Sequence, residues 1–148
     1  MRAKMKGSIK RASRIRRARV PDGVAVKRSS AGLGLFATRP YRKGENVIEY
    51  VGRELPEAEW YTSRSRYLFE VTSRKTIDGK PSWNIAGYIN HSCRPNCEPV
   101  IRQGRVFIKA RRTIPPGAEF TYDYGKEYFD EYIQPAGCRC EKCMHKGG

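Results

Sequence analysis

Short runs of alternating apolar and polar residues set the character of this chain. VAVKRS (24–29) alternates with the period of two that fits a half-buried strand. ENVIEYVG (45–52) reads as a buried strand closed by Gly52, and YLFEVT (67–72) as another. The stretch PVIRQGRVFIKARRTI (99–114) breaks at Gln103-Gly104, which predicts a hairpin, and PPGAEFTYDYG (115–125) reads as turn, strand and loop. PEAEWYTSRSR (56–66) predicts one short helix, opened by Pro56 and Glu57. Asp78-Gly79 predicts a turn, and WNIAGYINHS (83–92) either a short helix or an irregular segment. No internal repeat and no heptad pattern interrupts this reading, so the expected fold is mainly β, built of short sheets.

Charge changes the picture at one end. The chain has 148 residues, enough for one domain, and a net charge of +15. Nine of its thirty basic residues fall within positions 1–20, which hold no acid; the remainder carries twenty-one basic against fifteen acidic residues, a net +6. Pro21-Asp22-Gly23 ends this arm as a turn. A basic arm of this kind meets polyanions such as DNA, or serves as a solvated, disordered end that aids solubility; an acid-free start with Arg and Ser also resembles an organelle transit peptide. No long apolar run supports a secretory signal or a membrane span. Five cysteines, an odd number with three crowded into 138–143, favour metal ligation in a reducing compartment over a disulfide framework.

The chemistry concentrates in GYINHSCRPNCEP (87–99), which brings together two Asn, one His and two Cys. That stretch alone could be a metal site, a nucleophile, a ligand-binding turn or a tight loop. Further motifs narrow the choice. They are GLGLFA (32–37), EYVG (49–52), NHSCRPNC (90–97), FTYDYG (120–125) and CRCEKC (138–143). In this order they resemble the SET-domain protein-lysine methyltransferases with a post-SET cysteine segment, over roughly residues 23–143. The resemblance implies a β-clip-like SET fold with a knot-like C-terminal core, divided into a basic tail (1–22), a SET domain (23–126) and a small zinc segment (127–148).

It also implies a reaction: transfer of a methyl group from S-adenosylmethionine to a lysine amine of a protein substrate. Such an in-line displacement needs a bound donor, a neutral amine, alignment and exclusion of water. By resemblance Ala31, Gly32, Leu33 and Gly34 hold the donor's methionine part, and glycines at 32 and 34 permit close backbone approach. Asn90 and His91 match the donor-binding pair, their amide and imidazole suiting polar donor atoms. A satisfied structural histidine and a general base are the other readings of His91. Tyr124 matches the catalytic tyrosine, orienting the amine beside the sulfonium. Tyr50 and Tyr67 match tyrosines that line the lysine channel or touch the donor, where aromatic walls suit a methylammonium; half-buried strand residues are the plainer reading. Tyr122 sits where the family alternates between Tyr and Phe, and its hydroxyl predicts mainly monomethylation.

Cys138, Cys140 and Cys143 supply three soft ligands, and tetrahedral zinc takes four. By resemblance the fourth is Cys93, and Arg139 touches the donor. Cys97 is then packing, with a fourth-ligand role as the alternative. The cysteine spacing departs from the family, with two residues rather than four between Cys140 and Cys143. The insert between EYVG and YLF is short, and no cysteine-rich stretch precedes residue 23. A histone or histone-like substrate is expected, although a basic histone tail meets a +6 body. The competing reading is a non-catalytic, zinc-bearing module that binds DNA or chromatin. The expected location is nuclear chromatin in a eukaryote or the cytoplasm in a bacterium, without secretion or membrane insertion.

Overall fold

The computed structural model describes residues 19–140 and 142–144. Ten short strands form four small sheets. β1 (Val24–Ser29) and β2 (Gly32–Ala37) make an antiparallel hairpin in which Val24 faces Ala37 and Ser29 faces Gly32. β3 (Asn46–Tyr50), β8 (Cys97–Arg102) and β9 (Arg105–Ala110) form a sheet with β9 in the middle. β4 (Arg53–Glu54), β5 (Leu68–Thr72) and β6 (Lys75–Asp78) form another, with β6 central. The two-residue strands β7 (Asn90–His91) and β10 (Thr121–Tyr122) pair in parallel, Asn90 opposite Thr121 and His91 opposite Tyr122.

The β8–β9 turn follows its sequence signal. Gln103 and Gly104 adopt φ of 52° and 74°, as a two-residue turn matched to strand twist requires. The predicted helix over 56–66 reduces to one 3-10 turn, Glu57–Glu59. The Trp60 indole N–H donates to the Leu55 carbonyl (2.9 Å), folding the segment back on itself instead of extending it. At Asp78-Gly79 the chain turns through the Asp78 side chain and not as a β-hairpin. Asp78 ends β6, and its Oδ1 accepts from Ser65 Oγ (2.7 Å) and the Lys80 N–H (3.0 Å), while Ser73 and Arg74 make the β5–β6 turn. A helical stretch unforeseen in the sequence follows FTYDYG: an α-turn, Lys126–Tyr128, a π-helical segment, Phe129–Ile133, and a 3-10 turn, Gln134–Ala136.

The core gathers Leu35, Tyr41, Ile89, Val106, Ile108, Ile114 and Phe120, all at most 1% exposed. Tyr41 meets Phe120 edge to face at 5.2 Å. Residues 117–120 are stitched to β2 by Ala37 N–H to Ala118 O and Phe120 N–H to Leu35 O, both 2.8 Å. This places the 119–124 segment against β2 on one side and the 90–96 segment on the other. No helix among the described residues is long and apolar enough to cross a membrane. The basic arm, through residue 18, lies outside the described residues.

Candidate active site

A two-residue parallel pair is too short to hold itself, and the side chain of Asn96 completes it. Asn96 is buried; its Nδ2 donates to Glu119 O (2.9 Å) and its Oδ1 accepts the Thr121 N–H (2.9 Å). Its backbone carbonyl accepts the Arg111 N–H (2.8 Å). The 90–96 segment is thus locked to the strand that leads into Tyr122 and Tyr124.

His91 forms the second link. Its Nδ1 accepts the Tyr124 N–H (3.1 Å), which leaves the proton of a neutral ring on Nε2, 3.4 Å from Cys93 Sγ. Burial keeps its pKa below the ordinary value, against the opposing pull of Asp123. Only 6% of the side chain is exposed, and the imidazole is occupied on both edges by groups of this chain. Asn90 is similarly committed: its Nδ2 lies 2.8 Å from Glu119 Oε2, 2.9 Å from Leu33 O and 3.2 Å from Ser29 Oγ. The glycines of GLG divide in role. Gly32 has φ of +109°, in the region that favours glycine, with open space where a side chain would stand. Gly34 lacks a Cβ that would run into the Glu119 carboxylate held by Asn90. Leu33 is half exposed beside it.

A cavity of about 370 Å³ opens at this junction, lined among others by Ala31, Asn90, His91, Tyr124, Arg66 and Arg139. Its far wall is a chain of aromatic rings. Tyr122 meets Tyr124 at 4.9 Å, Tyr124 meets Tyr128 at 5.0 Å, and Tyr128 meets Tyr132 at 4.9 Å. The Arg66 guanidinium lies 4.7 Å over the Tyr132 ring. The Tyr124 hydroxyl donates to Ile89 O. The Tyr50 hydroxyl, in the core beneath, donates to Tyr67 O (2.7 Å). Burial drives the pKa of Tyr50, Tyr122 and Tyr124 well above the ordinary phenol value, so all three remain neutral donors. Tyr67 contributes its carbonyl to this network, is partly exposed, and does not line the cavity, whereas its neighbour Arg66 does.

Below the cavity, Cys93, Cys138, Cys140 and Cys143 place their Sγ atoms within 4.8 Å of one another. Cys93 Sγ is 3.7 Å from Cys143 Sγ and 4.0 Å from Cys138 Sγ. Four thiolates around a tetrahedral zinc at about 2.3 Å stand about 3.8 Å apart, so this donor set fits the ion in both type and spacing. Burial raises Cys140, but the backbone N–H groups of Cys93 and Cys143, each 3.5 Å from its sulfur, outweigh it and push its pKa down to about 6. Burial lifts Cys138 to about 11 and Cys93 further still. A divalent cation would reverse that preference. Residues 142–144 are helical, and the Met144 N–H donates to Cys140 O (2.9 Å). Cys97 stands apart in β8, opposite Ala110 and 1% exposed, where burial raises its thiol to about 12. Arg139 lines the cavity, and its carbonyl accepts from Ser30 Oγ (3.2 Å) across the β1–β2 turn.

Arg66, Glu119, Tyr128 and Tyr132 were missed in the sequence reading. The tyrosines had a usable signal, since four residues separate them and helical spacing puts such a pair on one face. Glu119 had none short of its partner Asn90.

A mainly β fold of small sheets, a tyrosine-walled cavity and a four-cysteine group define the class. The SET domain family model matches residues 32–125, and the chain belongs to that family. It is 37% identical over 126 residues to histone-lysine N-methyltransferase trr of Drosophila melanogaster, covering 76% of this chain and 5% of that protein. It is 36% identical over 135 residues to histone-lysine N-methyltransferase trithorax of Drosophila virilis (82% and 4%), and 33% identical over 136 residues to histone-lysine N-methyltransferase NSD3 of Mus musculus (83% and 10%). The chain therefore spans a small fraction of the length of these relatives.

Proposed function

We propose that this protein transfers the methyl group of S-adenosylmethionine to a lysine amine of a protein, a histone or a histone-like protein, and stops mainly at one methyl. Residues 23–126 form the catalytic domain in this reading, and 127–148 the metal segment. The observation that carries it is the placement of Tyr124 by β10, beside the Asn90–His91 backbone, on the aromatic wall of the cavity. The donor supplies an electrophilic methyl on a sulfonium. The amine lone pair forms the new C–N bond as the C–S bond breaks to leave a neutral thioether, and the displaced ammonium proton passes to solvent.

The chain's own groups prepare this displacement. Ala31, Gly32, Leu33 and Gly34, the backbone of Asn90 and His91, and Arg139 bind the donor. Arg66 joins them as a cation on the cavity wall. Tyr124 already donates its proton to Ile89 O, so its oxygen keeps lone pairs free to orient the methyl and the amine. Its high pKa excludes a phenolate base, and its part is orientation. Tyr50, Tyr67 and the Tyr122–Tyr124–Tyr128 rings surround the lysine stem and exclude water. Tyr122, 7% exposed, holds a neutral hydroxyl that crowds the amine and limits further methylation. Cys93, Cys138, Cys140 and Cys143 would hold zinc, which closes the 138–143 segment over the cavity.

A labelled-methyl transfer assay on histones, ribosomal proteins and DNA-binding proteins tests this reading, with Tyr124→Phe as control. Donor binding without transfer to any of them, or no donor binding by zinc-loaded protein, would leave a binding module in its place. Trimethyl product from the wild type would remove the monomethyl assignment, and Tyr122→Phe is expected to raise the methylation state. A histone substrate places the protein on chromatin, and the basic arm is a further DNA contact in this reading. Its deletion should weaken DNA binding while leaving transfer to a short peptide unchanged.

A further inference from the structure

A second cavity, about 890 Å³, lies against the first and shares Ala31, Asn90, His91, Arg139 and Cys140 with it. Its character is different. Among the described residues Arg94, Arg112, Arg139 and Lys142 line it, all exposed, against one carboxylate, Glu119, which is held by Asn90. Arg112 donates to Pro95 O (3.2 Å), yet none of the four cations takes part in an ion pair among the described residues. They come from three separate segments, so the array is made by the fold and not by a run of basic sequence. Like charges gathered in a concave site raise its potential and call for an anionic partner.

The methyl donor is a poor candidate. It carries a sulfonium, an ammonium and one carboxylate, a net positive charge, and its methyl must reach Tyr124, which lines the smaller cavity. A single-stranded nucleic acid is also disfavoured, because such strands are held by stacking on aromatic rings and this lining has no Phe, Tyr or Trp. What remains is a regular array of phosphates, which the planar forks of three arginines suit.

We propose that this cavity receives the phosphate backbone of double-stranded DNA. Two of its cations, Arg139 and Lys142, flank the clustered cysteines, so order in that cluster sets half of the array. Bound phosphates would also neutralise the positive body that otherwise repels a basic protein substrate. The proposal does not depend on methyl transfer, and each can fail while the other stands.

The test is fluorescence anisotropy of a labelled DNA duplex with the full, zinc-loaded chain, over about 50–200 mM salt. Each phosphate contact adds about 0.9 to the slope of log K against log salt. Arg94→Gln/Arg112→Gln should therefore lower the slope by about 1.8 and weaken binding about 60-fold at 0.1 M salt. Arg42→Gln/Lys43→Gln, an equal change of charge on exposed residues outside the lining, should move it little. Arg94→Lys/Arg112→Lys should keep the slope, and its comparison with the wild type stands even if the glutamine pair melts early. Equal losses in the cavity and control pairs would overturn the proposal, as would an unchanged slope in the cavity pair. Tighter binding of single-stranded RNA than of the duplex would overturn it too.

Discussion

Replacing Asn96 with Ala tests how the reactive strand is held. The substitution removes the donor to Glu119 O and the acceptor of the Thr121 N–H, both at 2.9 Å, from a residue 8% exposed. Each orphaned backbone group costs about 1–3 kcal/mol. Water reaches Glu119 and Thr121 in part, since both are half-buried, so the lower half of the combined range applies, about 3 kcal/mol. In a chain of this size each kcal/mol lowers Tm by about 2–4 °C, giving a fall of about 6–12 °C in calorimetry. Asn96→Asp keeps an acceptor for Thr121 but turns a carboxylate oxygen towards the Glu119 carbonyl, and should be no more stable than the alanine variant. In methyl transfer, kcat should fall more than KM rises, because Tyr122 and Tyr124 follow Thr121 directly. A Tm within 2 °C of the wild type, with kcat unchanged, would refute the claim that Asn96 supports β10.

Gly34→Ala should leave the protein folded but force Glu119 away from Asn90, and calorimetric titration should show donor affinity reduced about tenfold, worth about 1.4 kcal/mol. Removing zinc with a chelator, or replacing Cys93 with Ser, should lower Tm and expose 138–143 to protease, whereas Cys97→Ser should retain the metal; metal analysis showing the reverse would move the fourth ligand to Cys97. Burial raises the folded-state pKa of Tyr50, Tyr122 and Tyr124, so their neutral forms favour the fold fully below the ordinary phenol pKa of about 10, and that contribution is lost as pH rises above it. Spectrophotometric titration should show these three ionising only together with unfolding, and free ionisation of all nine tyrosines in the folded protein would contradict their burial.

What could be read from the sequence was local. The bounds read for 24–29 match β1, although its burial does not alternate strictly, since Lys27 and Arg28 are both exposed. Gln103-Gly104 specified its turn through backbone conformation alone. The clustered thiols of 138–143 pointed to a metal by their own chemistry, whereas Cys93 as the fourth ligand came from the family resemblance alone. Where partners are distant, the reading stopped. The helical composition of 56–66 lost to the bond between Trp60 and Leu55. Asp78-Gly79 resembles a hairpin turn, but its side chain is spoken for by Ser65 and Lys80. Tyr128 and Tyr132 gain meaning only when the helical stretch folds back onto Tyr124.

His91 shows the same limit and what it conceals. Its neighbours in sequence suggested a ring offered to a ligand, but both ring nitrogens are taken by groups of this chain. One accepts from the Tyr124 backbone and the other faces Cys93 Sγ, so a single imidazole joins the strand of the orienting tyrosine to the four-sulfur group. With a divalent cation bound, a thiolate at Cys93 would strengthen the Nε2–H contact, fix the tautomer, and so secure Nδ1 as the acceptor of the Tyr124 N–H. Order in the cysteine cluster and the placement of Tyr124 are therefore linked through the two contacts of one imidazole. Loss of metal should consequently reach Tyr124 even if the cavity's other walls stay in place.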